Sequence, residues 1–599
     1  MISPKADVLF EVSWEVCNKV GGIYTVVKSK ADLINKAYKE YYLIGPYIKK
    51  KAKETFNEKK PPEIFSKIFG ELSEIGIKCY FGEWLIKGKP KAILIDVAAY
   101  THTINDYKKM YWDHYKIDSM NAGWTFEEPM LWSTVAGMIV ARFSDNNKKS
   151  VIHCHEWMAG FALLYLKIKK CENVGTVFTT HATMLGRTIC AVGRSLYEEL
   201  DQLDPAKEAY HYNIQDKYLT ELACTQNADV FTTVSEITSM EAEKILGRKA
   251  DVLLLNGLDM EKFPSFEELS VKHRIYREKI REFISYYFFP YYHFDITQTL
   301  LFFIVGRYEF KNKGLDVFIK ALGNLNRMMK KNNSNKTVIA FFWIPREVHG
   351  AKIELSENKI NYYHIKDFVN DNQDNVQNKI ISHMMESPDE EAESAEHFKP
   401  RDMFSEDFLM EARKLKLGFS KQGKPMICTH NLTNEQDDEI IRNLIAEGLD
   451  NKEDDKVKAI FYPVYLTGVD GLIDLPYYDA LLGCHFGVFP SYYEPWGYTP
   501  LESAALGVTS LTTDLGGYGR FLASKKKGDE GVFVLRRFGM NPDSVIKEFS
   551  RLLYDYTLLH EKERVTQKIL AKNIANLADW NEFVKFYFEA HNKAIEKGA

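Results

Sequence analysis

The densest group of chemically capable residues is the string Pro490-Ser491-Tyr492-Tyr493-Glu494-Pro495-Trp496-Gly497-Tyr498-Thr499-Pro500-Leu501-Glu502. It follows a short apolar run at 487–489, and a Tyr- and Pro-rich loop at such a strand end is where a polar ligand would be gripped. Glu494 lies in that loop with no helix cap to account for it. Thr499 suits the N-cap of a following helix, Pro500 its first position and Glu502 a capping box. Glu502 therefore reads either as a cap or as a carboxylate for a ribose diol. A second loop, Gly306-Arg307-Tyr308-Glu309-Phe310-Lys311-Asn312-Lys313-Gly314, carries three cationic side chains behind a wholly apolar run. Arginine offers a planar fork to phosphate oxygens and lysine a mobile point charge; the plain alternative is a solvated basic loop. A third, Asn18-Lys19-Val20-Gly21-Gly22, opens a helix, where unpaired N–H groups and the helix dipole favour an anion and glycines admit it to the backbone. A Gly-Gly turn after a strand is common by itself, but a basic loop in each half of the chain fits a diphosphate spanning a cleft between them.

Two histidine-bearing segments add polar groups. Thr180-His181-Ala182-Thr183-Met184-Leu185-Gly186-Arg187 follows an apolar run, and His181 at a strand end either hydrogen-bonds a substrate hydroxyl or is a satisfied core residue. Cys154-His155-Glu156-Trp157 either lines a cleft or packs a strand–helix turn. No metal site is expected, because no further ligands arrive at helical spacing and the eight cysteines form no CxxC pair.

These loops need a scaffold that presents strand ends side by side. Short β-branched and aromatic runs alternate with longer helical patterns, as in parallel βαβ units. Strands are predicted at 8–12, 41–44, 151–152, 174–180, 229–234 and 252–255, with a helix over 23–38 after the Gly21-Gly22 turn. After a charged amphipathic segment at 266–287 the pattern restarts, with strands at 300–305, 338–344, 459–465, 487–489, 508–512 and 532–535 and a helix from Gly314 to Leu325. The reading is α/β, with two Rossmann-like doubly wound domains, 1–290 and 291–560, facing a cleft at the carboxyl ends of both sheets, and C-terminal helices over 561–599 that pack back on the first domain. Residues 354–455 break the pattern as a polar helical insertion, with six acidic residues in the eleven from Glu386 to Glu396. It is either a solvated excursion or an arm for self-association.

Composition narrows the classes. Lys and Arg number 78 against 83 Asp and Glu, a net charge of −5, which disfavours a strongly basic nucleic-acid surface. No apolar run approaches the roughly 20 residues of a membrane span. The N-terminus shows no signal-peptide pattern and the cysteines sit beside apolar residues, so a cytoplasmic protein with buried thiols is expected.

Together, Lys19-Val-Gly-Gly, His155-Glu-Trp, the 180–187 and 306–314 segments and Ser491-Tyr-Tyr-Glu-Pro-Trp-Gly-Tyr-Thr-Pro500 strongly resemble the eukaryotic-type glycogen (starch) synthases. The likeness runs in order from about residue 8 to Leu577-Ala-Asp-Trp580, and Glu494 and Glu502 reproduce the E-x7-E spacing of retaining glycosyltransferases of the two-Rossmann (GT-B) architecture. The resemblance implies transfer of glucose from UDP-glucose to the 4-hydroxyl at the non-reducing end of an α-1,4-glucan, with retention and without metal or other cofactor. It implies catalytic roles for Glu494, His181, Arg307 and Lys313, with the last two neutralising the diphosphate. Donor contacts fall to Lys19, Gly21, Gly22, Arg187, Tyr477 (stacked on uracil), Trp496, Gly497, Thr499 and Glu502. Whether Glu494 is a nucleophile or an electrostatic stabiliser stays open. A glycogenin-like priming protein and a tetramer held by the helical insertion are further implied partners.

Two departures from the family pattern carry expectations. Members activated by glucose 6-phosphate have a dense arginine helix before the Leu-Ala-Asp-Trp equivalent, whereas residues 561–573 contain only Arg564, with Leu570 and Asn573 at basic positions; weak or absent activation follows. The chain ends at Ala599, so control through a phosphorylated C-terminal tail is not expected. Aromatic residues between Tyr100 and Trp132 read mainly as core rather than as glucan-stacking surface. The competing readings are a catalytically weak glucan-binding scaffold, a phosphorylase, or another sugar-nucleotide glucosyltransferase on this fold.

Overall fold

Strand β1 (Val8–Val12) shows how the first half is organised: Val8, Phe10 and Val12 enter one apolar cluster, Leu9 enters the other, and Glu11 shares the face of Leu9. The computed structural model, which describes residues 3–144, 148–386, 404–525 and 531–598, continues with β2 (Glu40–Pro46), β3 (Phe56–Glu58), β4 (Lys78–Trp84), β5 (Lys91–Asp96), β6 (Ser150–His155), β7 (Val174–Thr180), β8 (Val230–Thr233) and β9 (Val252–Leu253). They form one sheet in the order β3-β4-β5-β2-β1-β6-β7-β8-β9. All neighbours are parallel except β3–β4 and β4–β5. That antiparallel edge escapes the sequence reading because β4 mixes Lys, Gly and Glu with its aromatics, as an edge strand can. Helices Trp124–Ser144 and Glu156–Lys169 cover one face; Gly22–Ala37 and Trp580–Gly598 cover the other.

The second sheet is wholly parallel, built from β10 (Thr299–Val305), β11 (Thr337–Trp343), β14 (Val457–Phe461), β15 (Phe486–Val488), β16 (Thr509–Thr513) and β17 (Val532–Leu535) in the order β14-β11-β10-β15-β16-β17. A small antiparallel pair, β12 (Val348–Ala351) and β13 (His430–Leu432), stands apart. Two doubly wound domains are therefore present as expected, with most strand limits shifted by a residue or two; the largest differences are β6, which runs on to His155 instead of stopping at 152, and β14, which stops at Phe461 instead of running to 465.

Three boundaries are corrected. Helix Phe266–Phe288, read as part of a first domain reaching residue 290, buries Leu269, Ile280, Phe283 and Ile284 against Leu301, Phe303 and Leu481 and so belongs to the second core. The insertion is narrower than 354–455: helix Glu439–Ala446 sends Ile440 and Leu444 into the cluster of Leu315, Leu322 and β11, and is the ordinary crossover between β11 and β14. The excursion itself comprises helices Ile353–Asp371, Gln373–Glu386 and Glu406–Phe419, with Phe368 and Phe408 4.8 Å apart. Of the acidic run, residues 387–396 lie outside the described residues. Finally, only the last helix returns to the first domain: Trp580 donates its Nε1–H to Ser29 Oγ at 2.7 Å. Helix Glu561–Ala575 stays on the second, where the Lys572 ammonium donates to the Ala505 carbonyl at 2.8 Å. Among the described residues no helix is long and apolar enough to cross a membrane.

Candidate functional site

The carboxyl ends of β10 and β15 are neighbours, and the loops leaving them are zipped together. Tyr492 N–H donates to Asn312 O at 2.9 Å. Gly314, at φ 70°, lies so close to the Pro490 carbonyl that a Cβ there would sit 2.0 Å from its oxygen, so no side chain is tolerated at this crossing. The result is a fixed meeting of Lys313 Nζ with Glu494 Oε2 at 2.6 Å. Glu494 is held from behind as well, since Gly517 N–H donates to its carbonyl at 3.0 Å. Lys313, Ser491, Glu494, Thr499 and Thr513 line one small recess. Lys311, by contrast, turns to Asp316 and the Tyr492 hydroxyl. Arg307 reaches outward, 81% exposed, and pairs with Glu309 at 2.9 Å.

The helix after Glu494 starts two residues earlier than predicted. It spans Tyr498–Ala505 with Gly497, at φ 109°, as its N-cap, so Thr499 is inside the first turn and the capping box does not form. Glu502 instead accepts hydrogen bonds from Tyr477 at 3.0 Å and Tyr478 at 2.9 Å, and burial raises its carboxyl pKa against those two donors. It lines a cavity of about 410 Å³ that takes Lys19, Tyr24 and Lys28 from the first domain and Tyr478 and Asp479 from the second. This joint cavity beside the Lys313–Glu494 recess is where an extended anionic ligand can be shared by both halves. Trp496 does not face it: only 3% exposed, the ring packs against Tyr518, Phe521 and Phe583, which removes it from the direct-contact set.

Three of the first domain's buried carboxylates organise the loops nearest this cavity. Glu15 accepts from Gly21 N–H at 2.7 Å and Tyr24 N–H at 2.9 Å, so the helix start at Gly21-Gly22 is partly satisfied from within. Nothing stands within 4 Å of the position a Cβ of Gly22 would take, which leaves that side of the loop open. Glu156, at a φ of 65° unusual for a residue with a side chain, accepts from the backbone N–H groups of His181 at 3.0 Å and Ala182 at 3.3 Å. Arg187 approaches the same carboxylate at 3.7 Å while remaining 55% exposed.

Glu11 is the third. It accepts from Lys30, from the Tyr41 hydroxyl and, at 2.7 Å, from His155 Nε2; His155 Nδ1 then meets His181 Nε2 at 3.0 Å. Burial alone would raise the Glu11 carboxyl, but Lys30 and His155 outweigh it and hold it well below the usual range. Burial, with neighbouring positive charge, lowers His155 and His181, so both are neutral near pH 7. An ionised Glu11 accepts only, so the His155 proton is on Nε2, its bare Nδ1 accepts from His181 Nε2–H, and His181 Nδ1 is left as an acceptor. Glu11, His153 and His155 bring ligand atoms within 4.8 Å of one another, the spacing of a metal site. Those atoms are committed, however: Glu11 as above, and His153 to His591 at 3.1 Å and Thr179 at 2.6 Å.

The geometry thus brings Lys313, Glu494 and Thr499 into one recess and Lys19 and Glu502 into a second, with Tyr477 bonded to Glu502. Arg307 and His181 line neither. The domains touch nearby, where Arg520 reaches Glu236 at 3.3 Å and a Cβ on Gly517 would lie 2.5 Å from Ser235 Cβ. Sequence reasoning missed Glu11 and Glu15, although a lone carboxylate inside the buried run Val-Leu-Phe-Glu-Val is itself a readable signal.

Comparison with known proteins adds the following. The sequence model of the family described as glycogen synthase matches residues 11–598. The liver glycogen [starch] synthase of Mus musculus is 32% identical over 597 residues, covering 98% of this chain and 83% of that protein. Glycogen [starch] synthase isoform 2 of Saccharomyces cerevisiae is 35% identical over 613 residues, covering 98% and 86%. Among solved structures, the catalytic domain of starch synthase IV from Arabidopsis thaliana superposes with a TM-score of 0.50 at 12% identity and 99% coverage of both chains, a likeness of fold.

Proposed function

The chain belongs to the glycogen synthase family, and from that premise we propose that it is a retaining GT-B glycosyltransferase that moves glucose from UDP-glucose to the 4-hydroxyl at the non-reducing end of an α-1,4-glucan. The observation that carries the reading is the 2.6 Å contact of Lys313 with Glu494 beside Thr499, fixed where two strand ends meet.

Cleavage of the anomeric C–O bond leaves positive charge on the sugar and negative charge on UDP. Lys313, the first turn of helix Tyr498–Ala505 and Arg307, once it leaves Glu309, meet the developing diphosphate charge. Glu494 orients the glucose and stabilises the oxocarbenium-like carbon; departure from the front face lets the leaving phosphate take the acceptor proton. His181, held neutral and with its Nδ1 free to accept, addresses a sugar hydroxyl. Lys19 and Lys28 face the nucleotide end, while Glu502 and Tyr477 take the ribose and uracil. Arg307 stands outside the recess but on the same domain, so its engagement requires its side chain to swing away from Glu309, while closure of the two domains over the donor would gate turnover. The lysines and arginine supply the positive charge, and the reaction so drawn needs no metal. A cytoplasmic location, a glycogenin-like primer and assembly through the helices between β12 and β13, which expose Ile360, Ile381 and Met410, belong to the same reading.

The test is UDP release from UDP-glucose with a glucan primer. The wild-type protein is expected to release UDP and lengthen the primer, and Glu494→Gln to lose most of the rate. Failure of the wild type to turn over would favour a glucan-binding scaffold, and faster turnover of ADP-glucose would reassign the donor.

A further inference from the structure

Glu241, on helix Glu236–Ile245 of the first domain, is fully buried yet contacts loops from both halves of the molecule. Its Oε1 accepts from Thr183 N–H at 3.2 Å, from the Thr183 hydroxyl and, across the domain boundary, from the Tyr493 hydroxyl at 3.0 Å. Its Oε2 accepts from Tyr197 at 3.2 Å, and the Tyr197 and Tyr493 rings stack with centroids 6.0 Å apart. Thr183 is two residues from His181, and Tyr493 immediately precedes Glu494.

Space for this carboxylate is reserved: a Cβ on Gly186 would lie 2.2 Å from Glu241 Oε1. A buried carboxyl is a poor way to fill a core, since desolvation opposes its charge and pushes its pKa from 4.5 up to about 7. Four converging donors tie it to two loops whose neighbours do the chemistry. A packing role would be served as well by an apolar side chain.

We propose that Glu241 is a positioning residue that sets Glu494 against the His181 segment by holding Tyr493 and Thr183 on one carboxylate. The inference rests on the glucosyltransferase reading above. It assigns the register between the two domains at the reacting centre to one acceptor, rather than to the apolar contact around it.

The experiment compares Thr183→Val, Tyr493→Phe and their double variant, all nearly isosteric, by steady-state kinetics with UDP-glucose and a glucan and by thermal unfolding. Each single variant is expected to lower kcat by about ten- to a hundredfold, the scale of a hydrogen bond to a charged group, with the KM for donor within about twofold. Both act through the same acceptor, so the double variant should be no slower than about threefold below the worse single. Full kcat in Tyr493→Phe, or a lowered Tm without loss of kcat, would overturn the inference while leaving the glucosyltransferase reading intact. Multiplicative losses in the double variant would also overturn it. An inactive wild type would overturn the reading on which it rests.

Discussion

The Glu11–His155–His181 chain permits stability and catalysis to be separated by design. Glu11 and Lys30 are each 1% exposed and share a hydrogen-bonded contact, so removing one charge strands the other in the core. Glu11→Gln should therefore destabilise the protein by about 3–5 kcal/mol, the range for one half of a buried pair. Adding Lys30→Met removes the stranded ammonium and should restore most of that loss, because a buried pair can be exchanged for neutral groups at little net change. The glutamine oxygen can still accept from His155 Nε2, so the tautomer chain survives and the rate should stay within about tenfold of wild type. Glu11→Met with Lys30→Met differs in one respect that matters: His155 Nε2 has no acceptor, and His181 loses the partner that fixes its orientation. That protein loses about 1–3 kcal/mol for each of the stranded Tyr41 hydroxyl and His155 N–H groups and should still fold, yet turn over about ten- to a hundredfold more slowly than the Gln/Met protein. The assays are urea unfolding and initial-rate UDP release on all three variants. Equal rates in the two folded double variants would refute the reasoning and reduce Glu11 to a counter-ion for Lys30.

Arg307→Ala should change stability by no more than about 0.5 kcal/mol, since the side chain is 81% exposed. Turnover should nevertheless fall by about 10²–10³, and a near-normal rate would remove Arg307 from the diphosphate site. Glu241 has a folded-state pKa of about 7, raised from 4.5 by burial. Its stabilising contribution is whole below pH 4.5 and is lost as pH rises through 7. Relative to wild type, Glu241→Gln should therefore gain about 3 kcal/mol of unfolding free energy between pH 4.5 and 8; a pH-independent difference in urea unfolding would contradict the assignment. Glucose 6-phosphate should alter the rate by less than about twofold at pH 8, because Arg564 is the only fork-shaped donor in 561–573 and Leu570 and Asn573 stand at basic positions. Lys568, lowered to about 7 by burial and by Arg277 and Arg564, is then largely neutral; a severalfold rise in rate would refute this.

The fold was legible in most places where burial on both faces writes an unbroken apolar run, although the equally buried residues 92–95 of β5 were passed over. Leu300 to Val305 and Val174 to Thr180 were found within a residue of their observed limits because a central parallel strand has no solvent side to encode. The edge strand Lys78–Trp84 has one, and its Lys, Gly and Glu hid it. Helix Phe266–Phe288 was located almost to the residue but given to the wrong domain. Its periodicity states that one face is buried, and nothing in that periodicity says against which sheet.

The site was legible in its residue types and much less so in its contacts. Lys313 and Glu494 are 181 positions apart, and what joins them is a backbone crossing that only Gly314 permits. Capping rules erred at Glu502 because Gly497 adopts a left-handed φ and starts the helix early, which frees the carboxylate to face Tyr477 and Tyr478. A more general reason lies in the carboxylates. Glu15 satisfies N–H groups at the start of helix Gly22–Ala37, Glu156 and Glu241 those of the 181–183 segment after β7, and Glu11 the ring of His155, so buried acids fix the loops of the first domain. These carboxyl groups hold the loops around Lys19 and His181 from behind, whereas Lys313 and Arg307 are held on the second domain by Glu494 and Glu309. A charge pattern in the sequence points to a class of ligand, but it does not show the buried acids that set where the Gly21 and His181 loops stand.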